Sequence, residues 1–275
     1  MILGYNTNGF AHHRLEDAIE IIAELGYRGV ALTLDVNHID PYLSSFPWDV
    51  VEFRDAAGPL DLHIVLETGA RFILDKRRKH QPTLISPSAD ARERRANYLR
   101  TAIGFAIEMP SSYVSFWSGT PTDDAVPSVL MTRLVEECKR LADYAAQQRV
   151  FLAFEPEPGM FIDTMDKFAE LHAKVNHPAF GLTVDIGHLV CNGELPVSDH
   201  LIRWKDVLWN VHIEDMRRGV HDHLMFGEGE VDFDDVFAGL RAANYAGMVS
   251  VELSRHSHDA VNTARRSMEF LRRFV

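Results

Sequence analysis

Four short stretches in the second half of the chain carry side chains that bind cations and move protons. "AFEPEPG" brings Glu155, "TVDIGH" brings Asp185 and His188, "VHIED" brings His212, and "SVELSRH" brings Glu252. Two glutamates, an aspartate and one or two histidines form a mixed oxygen and nitrogen donor set. Such a set suits Mn²⁺, Zn²⁺, Co²⁺, Fe²⁺ or Mg²⁺, with Mn²⁺ or Zn²⁺ favoured. One such residue after a strand is ordinarily a helix cap or a satisfied polar group. Four at successive strand ends, aimed into one mouth, would cost on the order of several kcal/mol unless a cation neutralised them. The pattern therefore predicts a divalent metal held among these strand-end residues.

Two carboxylates flanking one cation have a specific use. The cation polarises a carbonyl and its neighbouring hydroxyl, one glutamate removes the carbon-bound proton, and the other returns a proton elsewhere. That is isomerisation or epimerisation, with Glu155 and Glu252 as the candidate pair and the order of their roles open. Other strand-end residues would shape the substrate site: Asn6, His38, Glu67, Trp117 and Glu157. Trp117 could stack on the apolar face of a sugar ring or simply pack, and Glu157 reads as a loop residue beside the ligands.

These residues need a frame that brings them together. Short β-rich runs alternate with amphipathic helical runs along the whole chain, which signals a parallel sheet with covering helices. The strand candidates are residues 2–7, 29–35, 60–67, 112–119, 150–157, 180–187, 208–215 and 248–254, most of them apolar on both faces, as doubly covered strands are. The helical stretch "HRLEDAIEIIAELGYRG" puts Leu15, Ile19, Ile22 and Leu25 on one stripe with Gly26 as its stop. Further helical patterns are "ARERRANYLRTAIGFAIEM", "VLMTRLVEECKRLADYAAQQ", "MDKFAELHAKV", "DFDDVFAGLRAANY" and "DAVNTARRSMEFLRRF". Eight strand–helix units in 275 residues predict an α/β fold, a (β/α)8 TIM barrel spanning 1–275 as one domain. An open doubly wound sheet is the alternative, but no glycine-rich phosphate-binding motif follows any strand. The insert "TGARFILDKRRKHQPTLISPS" after the third strand is long enough to be a lid or binding loop.

Composition narrows the partners. A formal charge of −12 repels polyanions, so nucleic acid is disfavoured. The basic clusters Arg77–His80 and Arg92, Arg94, Arg95 read as solvated charges. No run is long and apolar enough for a membrane span, and no leader pattern opens the chain, which predicts a cytoplasmic protein. Cys138 and Cys191 are too few for a disulfide framework. A small carbohydrate-like molecule is the expected partner, and a homo-oligomer is left open.

The order of these motifs resembles the xylose-isomerase-like TIM-barrel superfamily. It runs from a glutamate after the fifth strand, through Asp-x-x-His after the sixth and "VHIED" at the seventh, to a "FGEGEVDF" loop and a glutamate after the eighth. That superfamily holds sugar isomerases and epimerases, inosose dehydratases and endonuclease-IV-type repair enzymes. "NTNGF" and "ELGYRGVAL" look like its opening unit. The resemblance implies one divalent cation on Glu155, Asp185, His212 and Glu252, with His188 and either Arg218 or Arg217 contacting substrate oxygens. His221-x-His223 falls where the endonuclease-IV type has an Asp-x-His pair holding an additional zinc, so these two are either second-metal ligands or a solvated loop. A third metal would need ligands after the third and fourth strands. There the chain offers Glu67, with His63 inside the strand, and Trp117 in place of a histidine. The expected activity is a metal-dependent isomerase or epimerase acting on a sugar, sugar phosphate or cyclic polyol. The alternatives are a multi-zinc phosphoesterase and an inosose-dehydratase-like lyase.

Overall fold

A computed structural model describes residues 1–109 and 111–275. Eight parallel strands close into a barrel: β1 (Ile2–Asn6), β2 (Gly29–Thr33), β3 (His63–Glu67), β4 (Tyr113–Phe116), β5 (Phe151–Phe154), β6 (Phe180–Asp185), β7 (Leu208–Ile213) and β10 (Met248–Val251). Sequential neighbours pair, and β1 closes on β10 with Leu3 opposite Val249. Two further strands, β8 (Asp215–Arg217) and β9 (Val220–Leu224), form an antiparallel hairpin outside the barrel. Its two-residue turn is Arg218-Gly219, and the second residue, Gly219, takes a left-handed conformation at φ 74° that favours glycine. The run of histidines and acids after β7, read as a loop or turn, is thus a β-ribbon.

Helices α1 (Leu15–Glu24), α3 (Ala89–Glu108), α4 (Pro127–Gln147), α5 (Met165–Val175), α8 (Phe233–Ala242) and α9 (Ala260–Leu271) lie where the apolar periodicity places them. Three more were not announced by that pattern: α2 (Phe46–Ala57), α6 (Ile186–Asn192) and α7 (Val197–Arg203). In α2, Val50, Phe53 and Ala57 are buried while Trp48 and Val51 face outward, so no clean stripe stands out. None of the described helices is long and apolar enough to cross a membrane.

The core between barrel and helices is aromatic on one side. Phe154 packs with Phe116, Phe168 and Phe180, their ring centroids 5.2 to 6.1 Å apart. Burying each such ring contributes about 2–3 kcal/mol. Inside the barrel the Met248 thioether fills the space over Gly4, where a Cβ would sit 2.7 Å from the sulfur. Above it the interior turns polar. The Thr183 hydroxyl donates to Ser115 Oγ at 3.0 Å, and Asn210 lies fully buried beside them. This buried polar layer is the floor on which the strand-end side chains stand.

Candidate metal centre and its cavity

Where β6 ends, Asp185 serves as the N-cap of α6. Its Oδ1 accepts the His188 N–H at 2.9 Å, relieving one of the unpaired donors of the helix's first turn. The cap fixes the carboxylate and explains the Asp-x-x-His spacing. The other oxygen, Oδ2, is buried with no hydrogen-bond partner among the described residues. A buried, unsatisfied carboxylate oxygen is costly, and a cation at that place removes the cost.

His212, 1 % exposed on β7, is surrounded by three carboxylates. Its Nε2 lies 2.9 Å from Glu67 Oε1, and its Nδ1 lies 3.1 Å from Glu155 Oε1 and 3.0 Å from Glu252 Oε2. Burial alone would lower the imidazole pKa, but Glu67, Glu155 and Glu252 together drive it well above its ordinary value. Glu67, which also accepts from Asn210 Nδ2 at 3.0 Å, takes the Nε2–H and turns Nδ1 toward the other two glutamates. A histidine held by a carboxylate through one nitrogen, with the other aimed at oxygen donors, is the usual arrangement of a metal-ligating imidazole.

One atom each from Glu155, Asp185, His212 and Glu252 falls within 4.8 Å of the other three. This buried His/Glu/Asp cluster can chelate a divalent metal ion, and the orphaned Asp185 Oδ2 supports the fit. The environments of the two glutamates differ. Burial, with Glu252 and Asp185 nearby, pushes Glu155 up to about 7 against the pull of His212. Burial acts the same way on Glu252, but His212, His223 and the Asn8 amide, which donates to Oε1 at 2.8 Å, hold it below the carboxylate range.

Asn6, Glu67, Trp117, Glu157 and His188 line a cavity of about 290 Å³ over this cluster, with His221 and His223 on its hairpin side. Trp117 is 5 % exposed and sandwiched, with the Arg95 guanidinium 4.3 Å from its ring and the His80 ring 4.9 Å away. Glu67, expected as a substrate contact, is engaged with His212. His38 lies elsewhere, in a separate depression with Arg14, Asp49 and Phe53. Arg217 and Arg218, expected to touch substrate, lie exposed at the hairpin turn, and neither is among the residues lining the cavity. The ribbon's pleat carries them past the rim, with Arg217 Nε 3.4 Å from the Glu228 carbonyl. His63 stands at the N-terminal end of β3, the wrong end for a ligand, so no third metal site is assembled there.

His221 and His223 are not a solvated loop. Strand β9 folds them against His188, whose Nε2 is 3.0 Å from His221 Nε2, and a donor atom from each of the three histidines falls within 4.8 Å of the others. His188 Nδ1 faces the Pro156 carbonyl at 3.1 Å and so carries the proton, leaving Nε2 as a lone pair. Burial lowers the His188 pKa to about 4. Beneath them Glu214 is fully buried, its oxygens without a hydrogen-bond partner among the described residues, and burial plus the Asp185 charge raise its pKa well above the usual range.

Several of these residues escape sequence reasoning. Asn8, Asn210 and Glu214 sit beside quoted motifs, but their partners are far away in the chain. Asp215 acts on the backbone instead. Its carboxylate accepts the N–H groups of Met216, Gly227 and Val231 at 2.8 to 3.0 Å, pinning the "FGEGEV" turn to the end of β7.

Comparison with known proteins places this fold among relatives. The family model described as xylose isomerase-like TIM barrel matches residues 6–274. L-ribulose-5-phosphate 3-epimerase UlaE of Salmonella heidelberg (strain SL476) is 26 % identical over 236 residues, 86 % of this chain and 80 % of that protein. Among solved structures, D-allulose 3-epimerase from Methylomonas sp. superposes with a TM-score of 0.80 at 19 % identity, covering 100 % of this chain and 98 % of that one. The 3-keto-D-glucoside 4-epimerase YcjR from E. coli gives 0.81 at 17 % identity, with 99 % of each chain covered.

Proposed function

Because the chain belongs to the xylose isomerase-like TIM-barrel family, we propose that it is a divalent-metal-dependent isomerase or epimerase. Its substrate class is a sugar, sugar phosphate or cyclic polyol, and Glu155 and Glu252 are its proton-transfer pair. One observation carries this reading. Glu155 follows β5 and Glu252 follows β10, on either side of β6 and β7 in the barrel, and both carboxylates converge on the same nitrogen of His212. Two bases facing one point from two sides can take a proton from one face of a carbon and return one to the other. The names of these three relatives, each an epimerase, support it.

When bound by Glu155, Asp185, His212 and Glu252, a divalent cation supplies Lewis-acid polarisation of the substrate's carbonyl and adjacent hydroxyl. The chain supplies the rest. Asn8 aims Glu252, Glu67 and Asn210 set the His212 ring, and the α6 cap sets Asp185. One glutamate accepts the proton α to the carbonyl while the other, protonated, delivers its own, and Trp117 and the histidine ribbon limit water at the reacting carbon. The test is solvent exchange. Incubated in D₂O with a panel of ketoses, ketose phosphates and inososes, the metal-loaded protein exchanges one carbon-bound proton of its substrate, and the chelated protein does not. No exchange across the panel contradicts the assignment.

The histidine trio favours a second reading, in which His188, His221 and His223 hold a second cation and the chemistry is phosphate-ester hydrolysis. Metal analysis of protein purified without chelator separates the two. One ion per chain supports the isomerase, and two or more with phosphodiesterase turnover support the hydrolase.

A further inference from the structure

The basic run "RRKH" and the long loop that carries it have no part in the chemistry above, yet the structure places them at the cavity mouth. The loop after β3, residues 68–88, folds back so that the His80 N–H donates to the Arg71 carbonyl at 2.6 Å. His80 is held there at φ 67°, a conformation that a non-glycine residue adopts at a cost of roughly 1 kcal/mol, and its ring lies on Trp117. This pinning brings Arg71 and Lys79 side by side on the cavity wall. Asp75 takes up Arg78 through its Nε at 2.8 Å. Lys79 has no carboxylate within ion-pair distance among the described residues. Arg71 touches Asp35 through Nε alone, at 3.4 Å. Behind Trp117 a third cation is buried. Arg95, 1 % exposed, spends Nη2 on the Thr68 carbonyl at 2.7 Å, while its Nε and Nη1 have no partner and no carboxylate pairs with it among the described residues.

Arg71 and Lys79 on the cavity wall, with Arg95 buried behind Trp117, concentrate positive charge in a chain of net charge −12 in a way that a neutral sugar does not explain. A neutral polyol is recognised by mixed donors and acceptors. Arg and Lys converging at a rim match a phosphate monoester. Glu155 and Asp185 of the metal cluster are buried, whereas Arg71 is half-buried and Lys79 exposed, so negative charge lies deeper and positive charge nearer solvent. The same positive field, after burial, lowers His80 to about 3 through Lys79, Arg95 and Arg71, which keeps that ring neutral over Trp117.

Building on the isomerase reading, we propose that the substrate is a phosphorylated ketose whose phosphate is received by Arg71 and Lys79, with Arg95 as a buried charge beneath them. The test is calorimetric binding of ribulose 5-phosphate and ribulose, in both enantiomers, to the metal-loaded protein, beside the D₂O exchange assay on the same compounds. One enantiomer of the phosphate is expected to bind at least about 100-fold more tightly than its neutral parent. Arg71→Met and Lys79→Met should each cost the phosphate about 10- to 100-fold, the effect of one charged contact, and cost the neutral ketose far less. Lys79 is exposed, so its variant reports binding without a folding defect. Equal binding of phosphate and parent, binding of neither, or variant losses that are the same for both compounds would overturn the inference. Exchange on neutral ribulose without a phosphate preference refutes this wall and leaves the isomerase intact. Selective phosphate binding with no exchange on these compounds or on the wider panel supports the wall and removes the isomerase.

Discussion

Asp185→Asn is the most informative single change in the metal cluster, because it alters one charge and leaves the shape. In the wild type, the carboxylates of Glu155, Asp185 and Glu252 crowd a buried site, and Asp185 Oδ2 has no hydrogen-bond partner among the described residues. A cation that binds only the folded chain stabilises it by about 2.7 kcal/mol at a hundred times its dissociation constant. For a chain of 275 residues the entropy of unfolding is roughly 0.6 kcal/mol per degree, so this corresponds to a rise of about 5 °C in Tm. Each further tenfold of metal should add about 2 °C. The assay is thermal unfolding of chelator-treated protein titrated with Mn²⁺, Zn²⁺, Co²⁺ and Mg²⁺. Asp185→Asn retains a side-chain oxygen to cap α6 but removes a buried negative charge. Burial opposes the Asp185 charge, but His188 and His223 hold the carboxyl below its ordinary pKa, so the metal-free variant should lose some stability relative to the metal-free wild type, while its response to metal shifts to much higher concentration. A wild-type Tm indifferent to all four cations, or an Asn variant that responds as the wild type does, would rule out a cation held by Asp185.

Three other outcomes are expected. Gly187 lies against Glu214, so the added Cβ of Gly187→Ala collides with the Glu214 carboxyl and sits 2.7 Å from Met216 Cε; a loss of about 1–3 kcal/mol with weakened metal affinity should appear in denaturant and metal titrations, and an unchanged protein would show that this packing is soft. Asp215→Ala orphans three backbone N–H groups and should cost about 3 kcal/mol or more, about 5 °C of Tm; a loss under about 1 kcal/mol would mean that water replaces the carboxylate. The His80 pKa is depressed from 6.5 to about 3 by burial and neighbouring cations. The stability this contributes is complete above pH 6.5 and is lost as pH falls toward 3, because only the unfolded chain takes up the proton in that window. His80→Asn, which tolerates the left-handed backbone, should flatten the urea midpoint between pH 6.5 and 4 relative to wild type, and an unaltered slope would place the titration elsewhere.

The barrel was legible because its strands are apolar on both faces and its longer helices keep one stripe, as in α1 and α5. Helix α2 was hidden because Trp48 and Val51 blur its stripe. The hairpin was hidden because Val220–Leu224 alternates polar residues on a surface that only the histidine cluster beneath it makes into an inside. The four clustered donors could be singled out because each ends a strand, and strand ends are fixed by the pattern. What the pattern could not place was anything positioned by loop closure. Arg217 and Arg218 looked well spaced from His212, but the turn at Gly219 carries them away. Lys79 looked like a solvent charge, and Arg71 carried no signal beyond the long insert it sits in, but a backbone bond from His80 ties the loop so that both line the cavity. Glu67 is separated from its partner His212 by 145 residues, so no local signal revealed that it positions that ring.

If Glu155 and Glu252 move protons above a metal they also help to hold, binding and chemistry must separate when either carboxyl becomes an amide. Metal content and substrate C–H exchange in D₂O, measured together on wild type, Glu155→Gln and Glu252→Gln under saturating metal, read both at once. Each variant, with metal still bound, should lose exchange by about 10²–10⁴-fold, the contribution of a positioned acid or base. A metal-loaded variant that exchanges at the wild-type rate would show that its glutamate moves no proton.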